Sequence, residues 1–229
     1  MPLHAITEVY GEAGLRERFL LELEPFPAAG RAELTAALDL AATLHAGDRR
    51  VREPYLNHLL RVAIRIMRYY GIRDVDVIVA ALLHDAVEDH PAELSGVTGT
   101  HQEMTDAAVA ELARRFNPRV AGLVRSVTNP EYDPDADRHE QYRAHVTRSL
   151  ERDPWARVIK VSDFTDNGVG VAHTSTAKAR SSATKYRPLV PALRELVGRQ
   201  DTPLSAAAKE HILDQLDLAE ARFAAILDG

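Results

Sequence analysis

Ala80-Ala81-Leu82-Leu83-His84-Asp85-Ala86-Val87-Glu88-Asp89-His90 sets an apolar run directly against a cluster of ionisable side chains. A run this apolar is expected to be buried, and buried charges are costly unless they are paired or bind a metal. On a helix, His84 and Glu88 lie four apart, as do Asp85 and Asp89, so both pairs share one surface. An isolated His-Asp pair reads as an ordinary helix end in solvent. Four such groups placed against an apolar run argue for a buried functional cluster instead.

Working outward, Asp74 is positioned to cap the helix that runs through Val77, Ile78, Ala81 and Leu82 into His84. Upstream, the spacing predicts helices over Tyr55 to Tyr70 and Arg31 to Ala46, the latter stopped by Gly47. A loop with Asp48, Arg49, Arg50 and Arg52 separates them. Residues 1–30 read as an extension with one short helix, about Gly14 to Leu23, ended by Pro25 and Pro27. Downstream, His90 to Met104 reads as a loop, followed by helices over Thr105 to Phe116, Arg119 to Val127 and Asp137 to Arg152. Asp153-Pro154 opens a helix through Val158, Ile159 and Val161. Val169 to Thr176 reads as loop, and two helices close the chain, Lys178 to Gly198, disturbed by Pro188 and Pro191, and Leu204 to Leu227. Alternating strand patterns are absent, so the expected class is all-α.

The 229 residues fit one domain with extensions, and 45% hydrophobic with 27% charged residues suits a soluble protein with a sizeable core. A net charge of -6 argues against nucleic-acid or membrane-surface binding through bulk charge. With no cysteine, disulfides and thiolate metal sites are excluded. The amino-terminal residues carry no signal pattern and no stretch is long enough to span a membrane, so the expected address is cytoplasmic.

A hard or borderline divalent metal takes imidazole nitrogen and carboxylate oxygen, and His84 and Asp85 supply one of each. One segment cannot complete a shell. His58, in Pro54-Tyr55-Leu56-Asn57-His58-Leu59-Leu60, and Asp163, which follows the apolar run Val158-Ile159-Lys160-Val161, are the candidates to complete it. Asn167 lies one helical turn beyond Asp163.

Three segments in order carry a family resemblance: HAGDRRVREPYLNHLLRVA from His45, AALLHDAVEDH from Ala80 and VIKVSDFTDN from Val158. FNPRVAGLVRSVT from Phe116 adds a fourth. They resemble the HD-type metal-dependent phosphohydrolases, in particular the hydrolase domain of the RelA/SpoT alarmone enzymes and the small stand-alone alarmone hydrolases (Mesh1-like). The resemblance covers about residues 31 to 170, leaving 171 to 229 as C-terminal helices packed on an HD helical bundle. It implies metal ligation by His58, His84, Asp85 and Asp163, with Mn²⁺ the usual ion. It assigns the attacking water to Glu88 and Asp89, and substrate contacts to Arg49, Arg50 and Asn167. The implied reaction removes the 3′-pyrophosphate of (p)ppGpp, a small-molecule nucleotide.

Asp48 stands where the family usually has glutamine, Arg52 where it has glycine, and Gly168-Val169-Gly170 where it has apolar and basic residues. These departures keep a second reading open, an HD phosphohydrolase acting on another nucleotide or phosphoester. A third is a ligand-binding regulator without turnover, against which the intact Glu88-Asp89 pair argues. His45 reads as a residue behind the ligands or a structural one. His4, His90, His101, His139, His145, His173 and His211 read as ordinary histidines, and Lys178, Arg180, Lys185 and Arg187 as a solvated helix face, with a border of the pocket as the alternative. Oligomeric state is not legible.

Overall fold

The computed structural model describes residues 2–229. Among them it contains helices and loops with no strand, and one isolated bridge pairs Arg49 with Pro54. The all-α expectation holds.

Two helices sit at the centre, α3 (Leu56–Arg68) and α10 (Pro154–Gly168). A surface helix is amphipathic, whereas one wrapped by neighbours is buried all round. In α3 every residue from Leu56 to Met67 is buried, and in α10 every residue from Ala156 to Asp166. Around them pack α1 (Leu3–Leu23), α2 (Ala28–Leu44), α4 (Val75–Leu82) and α8 (Pro118–Val127). α5 (Ala86–Asp89), α6 (Pro91–Ser95), α7 (His101–Arg115) and α9 (Arg138–Arg152) lie between these in the chain. α11 (Thr176–Tyr186), α12 (Val190–Gly198) and α13 (Ala206–Leu227) complete it. One core runs from Leu15 and Phe19 of α1 through α3 and α4 to Phe223 of α13. Each large apolar side chain buried there stabilises the fold by roughly 1.5–3 kcal/mol.

α3 and α10 do not meet through apolar contacts alone. Arg61 and Arg65 of α3 face Ser162 and Asp166 of α10. Arg61 uses its whole fork: it donates to Asp166, to both carboxylate oxygens of Glu53 and to Thr7 of α1. A fully buried guanidinium is tolerable only when its donors are satisfied in this way.

The sequence expectations differ from the structure in several places. α1 begins at Leu3 rather than near Gly14, with a break at Gly11, whose φ is 63° and ψ −154°. Only glycine reaches that conformation cheaply, so the helical pattern continues on both sides of it. The stretch expected as loop after His90 contains α6, and α7 starts at His101 because Thr100 and Glu103 form a capping box. Val169–His173 is a 3-10 helix rather than loop, and the disturbance expected at Pro188 is a 3-10 turn, Arg187-Pro188-Leu189, that divides the Lys178 to Gly198 stretch into two helices. Asp74 and Asp153 cap α4 and α10 as expected.

The helix entering the His-Asp motif was expected to run through it, and it does not. α4 ends at Leu82, and Leu83 to Asp85 form a turn before α5. The break leaves the Ala81 carbonyl free for a side-chain donor.

Candidate active site

That carbonyl is taken by His84, whose Nδ1 lies 2.8 Å from it. A carbonyl only accepts, so Nδ1 carries the proton and Nε2 presents a lone pair. His58 is set the same way: its Nδ1 lies 2.8 Å from Asp166 Oδ2. Burial would raise the Asp166 pKa, but Arg61, the His58 bond and Arg65 hold it well below the usual carboxylate range. Asp166 is therefore an acceptor, and His58 also turns a bare Nε2 inward. Both Nε2 atoms are buried without a hydrogen-bond partner.

Two carboxylates meet these lone pairs. Asp85 Oδ2 is 3.0 Å from His84 Nε2 and 3.7 Å from His58 Nε2. Asp163 Oδ1 is 3.3 Å from His58 Nε2 and 3.8 Å from His84 Nε2. Each carboxylate is oriented by a second contact: Tyr55 donates to Asp85 at 2.8 Å, and Lys160 and Asn167 donate to Asp163 at 2.7 and 2.5 Å. Two imidazole nitrogens without hydrogen-bond partners and two carboxylates beside them are a donor set that fits a divalent cation, since buried polar atoms otherwise find partners. The four residues that the resemblance implied as ligands are thus brought together from α3, the turn after α4, and α10.

His58, Asp85 and Asp163 of this cluster line a cavity of about 720 Å³, the size of a nucleotide site. Arg49 is exposed at its rim, while Arg50 is half-buried, donates to Asn167 at 2.9 Å and lies 5.3 Å over the Tyr55 ring. Glu88 and Asp89 both line the cavity, but differently. Asn129 donates to Glu88 through its backbone and its side-chain amide, at 2.9 to 3.2 Å, and Tyr132 in turn holds Asn129. Asp89 has no such anchor among the described residues. Burial, then the neighbouring Asp85 and Glu88 charges, raise its pKa to about 7.

Several cavity residues escaped the sequence reading. Asp166 and Lys160 lie within the quoted string around Asp163, yet nothing in a linear pattern says which way they turn. His4 and His173, read as ordinary histidines, stack at 4.3 Å and line the cavity. Lys178 and Lys185, read as a solvated face, also line it, whereas Arg187 does pair outward with Glu220 and Asp228. His90 touches Asp48, and His45 stacks on Tyr55 behind the centre.

The HD-domain family model matches residues 37–184. The chain belongs to the HD-domain family. This HD-domain protein is 32% identical over 139 residues to the guanosine-3′,5′-bis(diphosphate) 3′-pyrophosphohydrolase MESH1 of Drosophila melanogaster, covering 59% of this chain and 68% of that one. It is 33% identical over 135 residues to human MESH1, covering 58% and 65%. To the guanosine-3′,5′-bis(diphosphate) 3′-pyrophosphohydrolase of Aquifex aeolicus it is 33% identical over 159 residues, covering 69% of this chain and 20% of that longer one. A solved structure of a metazoan SpoT ortholog, described as hydrolysing ppGpp, superposes with a TM-score of 0.59 at 26% identity over 83% of this chain and 95% of that one. The HD domain brings divalent-metal chemistry with it.

Proposed function

We propose that this HD-domain protein is a metal-dependent hydrolase that removes the 3′-pyrophosphate of (p)ppGpp, in the cytoplasm, with Mn²⁺ as its ion. The observation that carries the reading is the pair of orphaned, buried Nε2 atoms facing Asp85 and Asp163 on the floor of a nucleotide-sized cavity. Relatives that carry this activity by name support the substrate.

His58, His84, Asp85 and Asp163 would hold the cation. Bound there, a divalent ion supplies a Lewis acid at the reacting phosphoryl group and lowers the pKa of nearby water. Asp89, unanchored and facing the cavity, accepts the proton of the attacking water. Glu88, fixed by Asn129, orients that water rather than moving with the proton. The water oxygen bonds to the phosphorus next to the ribose, the 3′-oxygen–phosphorus bond breaks, the leaving 3′-oxygen takes up a proton, and pyrophosphate and the nucleotide are released. Arg49, Arg50 and Asn167 hold the nucleoside end, and Lys178 and Lys185 at the cavity wall meet the anionic phosphates.

Gly168-Val169-Gly170 and the His4–His173 wall favour a second reading, hydrolysis of a different nucleotide or phosphoester by the same centre. Release of pyrophosphate from ppGpp and GTP, and of phosphate from GDP and simple phosphomonoesters, by Mn²⁺-loaded protein separates them. Preferred turnover of ppGpp is expected. Robust cleavage of another substrate with ppGpp untouched moves the assignment to the second reading.

A further inference from the structure

We propose that His45, Asp48 and His90 form a second divalent-metal site, of the zinc class, distinct from the centre at His58 and His84. Among the described residues, two groups present three metal-ligating side chains with donor atoms within 4.8 Å of one another. One is His58, His84 and Asp163; the other is this one. The ligand set is two imidazoles and one carboxylate, which suits a borderline transition metal rather than magnesium or calcium.

The three side chains come from separate places: His45 ends α2, Asp48 lies in the following loop, and His90 ends α5. They converge on a single oxygen. Asp48 Oδ2 is 2.7 Å from His45 Nδ1 and 2.6 Å from His90 Nε2. Ligand atoms around a tetrahedral zinc sit about 3.3 Å apart, given bond lengths near 2.0–2.2 Å. The cluster would therefore open by about half an ångström to admit one. Asp48 and His90, whose side chains are 33% and 16% exposed, can make that adjustment without disturbing the core, and their exposure leaves room for water as a further ligand.

Both imidazoles can give up the proton that now faces Asp48. His45 Nε2 has no partner, so the proton can move to it and free Nδ1. His90 Nδ1 lies 3.9 Å from the Glu93 carboxylate, and a small turn of the exposed Glu93 side chain would let it accept the outer proton and leave the inner nitrogen to a metal. His45 itself is 3% exposed and stacks on Tyr55, so one ligand is rigid and two can close on it. Occupancy would tie the loop that carries Arg49 and Arg50 to α5, which carries Glu88 and Asp89.

The test is Zn²⁺ stoichiometry on chelator-stripped protein, by titration calorimetry and elemental analysis, repeated with Co²⁺ followed by its visible absorption. Wild type is expected to bind two equivalents. Asp48→Asn, His90→Gln and His84→Ala should each bind one, and Asp48→Asn with His84→Ala none. Asp48 and His90 are partly exposed, so their variants should keep the wild-type circular dichroism and melt. One equivalent in wild type, unchanged in Asp48→Asn and His90→Gln, overturns the proposal. So does metal retained by the double variant, which would place the second ion elsewhere. None of these readouts depends on substrate, so failure of the alarmone reading leaves them intact.

Discussion

Asp166 is the side chain on which the candidate centre turns, although it faces no substrate-side lone pair. It fixes the His58 tautomer and balances Arg61 and Arg65 in the interior. Asp166→Asn should lower metal affinity about 10–100-fold, as loss of a supporting carboxylate typically does. It should also destabilise the fold by about 3–5 kcal/mol, because Arg65 loses its carboxylate partner and Arg61 keeps only Glu53. Calorimetric metal titration and chemical denaturation check both; unchanged metal affinity would remove Asp166 from the centre. Asp89 carries a different expectation. Asp89→Asn keeps the shape of the side chain and removes its proton acceptor, so kcat should fall about 10²–10⁴-fold with metal content unchanged. A rise in KM with kcat preserved would recast Asp89 as a binding residue.

Among the elements, α1 and α10 make the sharpest predictions. The first half of α1, before the break at Gly11, lays His4 across the cavity wall against Gly170. Burial lowers the His4 pKa to about 4, with Asp166 opposing and Arg61 and His173 adding to the shift. A histidine whose folded pKa is depressed stabilises the fold above its unfolded value near 6.5, and that contribution is lost as pH falls toward 4. His4→Gln should therefore melt with a shallower dependence on pH between 6.5 and 4 than wild type. Parallel curves across that window would show that His4 does not report on the acid sensitivity of α1. In α10, a Cβ at Gly168 would stand 3.1 Å from both Phe164 and Phe223. Both rings are buried, so the gain in helix propensity is outweighed by overpacking, and Gly168→Ala should cost about 1–2 kcal/mol. A higher melting temperature for that variant would show that the α10–α13 contact has slack.

For the whole molecule, metal binding should be coupled to stability. The proposed ligands belong to α3, α10 and the turn after α4, so a bound ion would cross-link three separate parts of one core. A ligand at 100 times its Kd stabilises the native state by about 2.7 kcal/mol. Mn²⁺ should raise the Tm of chelated protein in a concentration-dependent way, and His84→Ala should lose the response. A wild-type Tm indifferent to Mn²⁺ would sink the metal centre. The segment 1–30 and the helices after 171 are proposed as parts of the same folding unit as 31–170. Both contribute residues to the shared core, Phe19 from one and Phe223 from the other. A single cooperative melt is expected.

The sequence by itself determined the helical class, because apolar spacing at three and four residues is a local property that burial then enforces. It also determined the ligand candidates, since His84-Asp85, His58 and Asp163 each stand against an apolar run or at a helix start. Local capping was legible as well, at Asp74 and Asp153. What only the tertiary structure decided was direction. The break after Leu82, which frees the Ala81 carbonyl for His84, is a choice between two ways of satisfying one hydrogen bond. No residue pattern in the stretch distinguishes them. The partnership of Asp166 with Arg61, Arg65 and His58 spans about a hundred residues of chain, and it exists only because α3 and α10 are packed face to face. The same holds for His4 and Lys185, which look like ordinary or solvated side chains in one dimension and line the cavity only once the helices are packed.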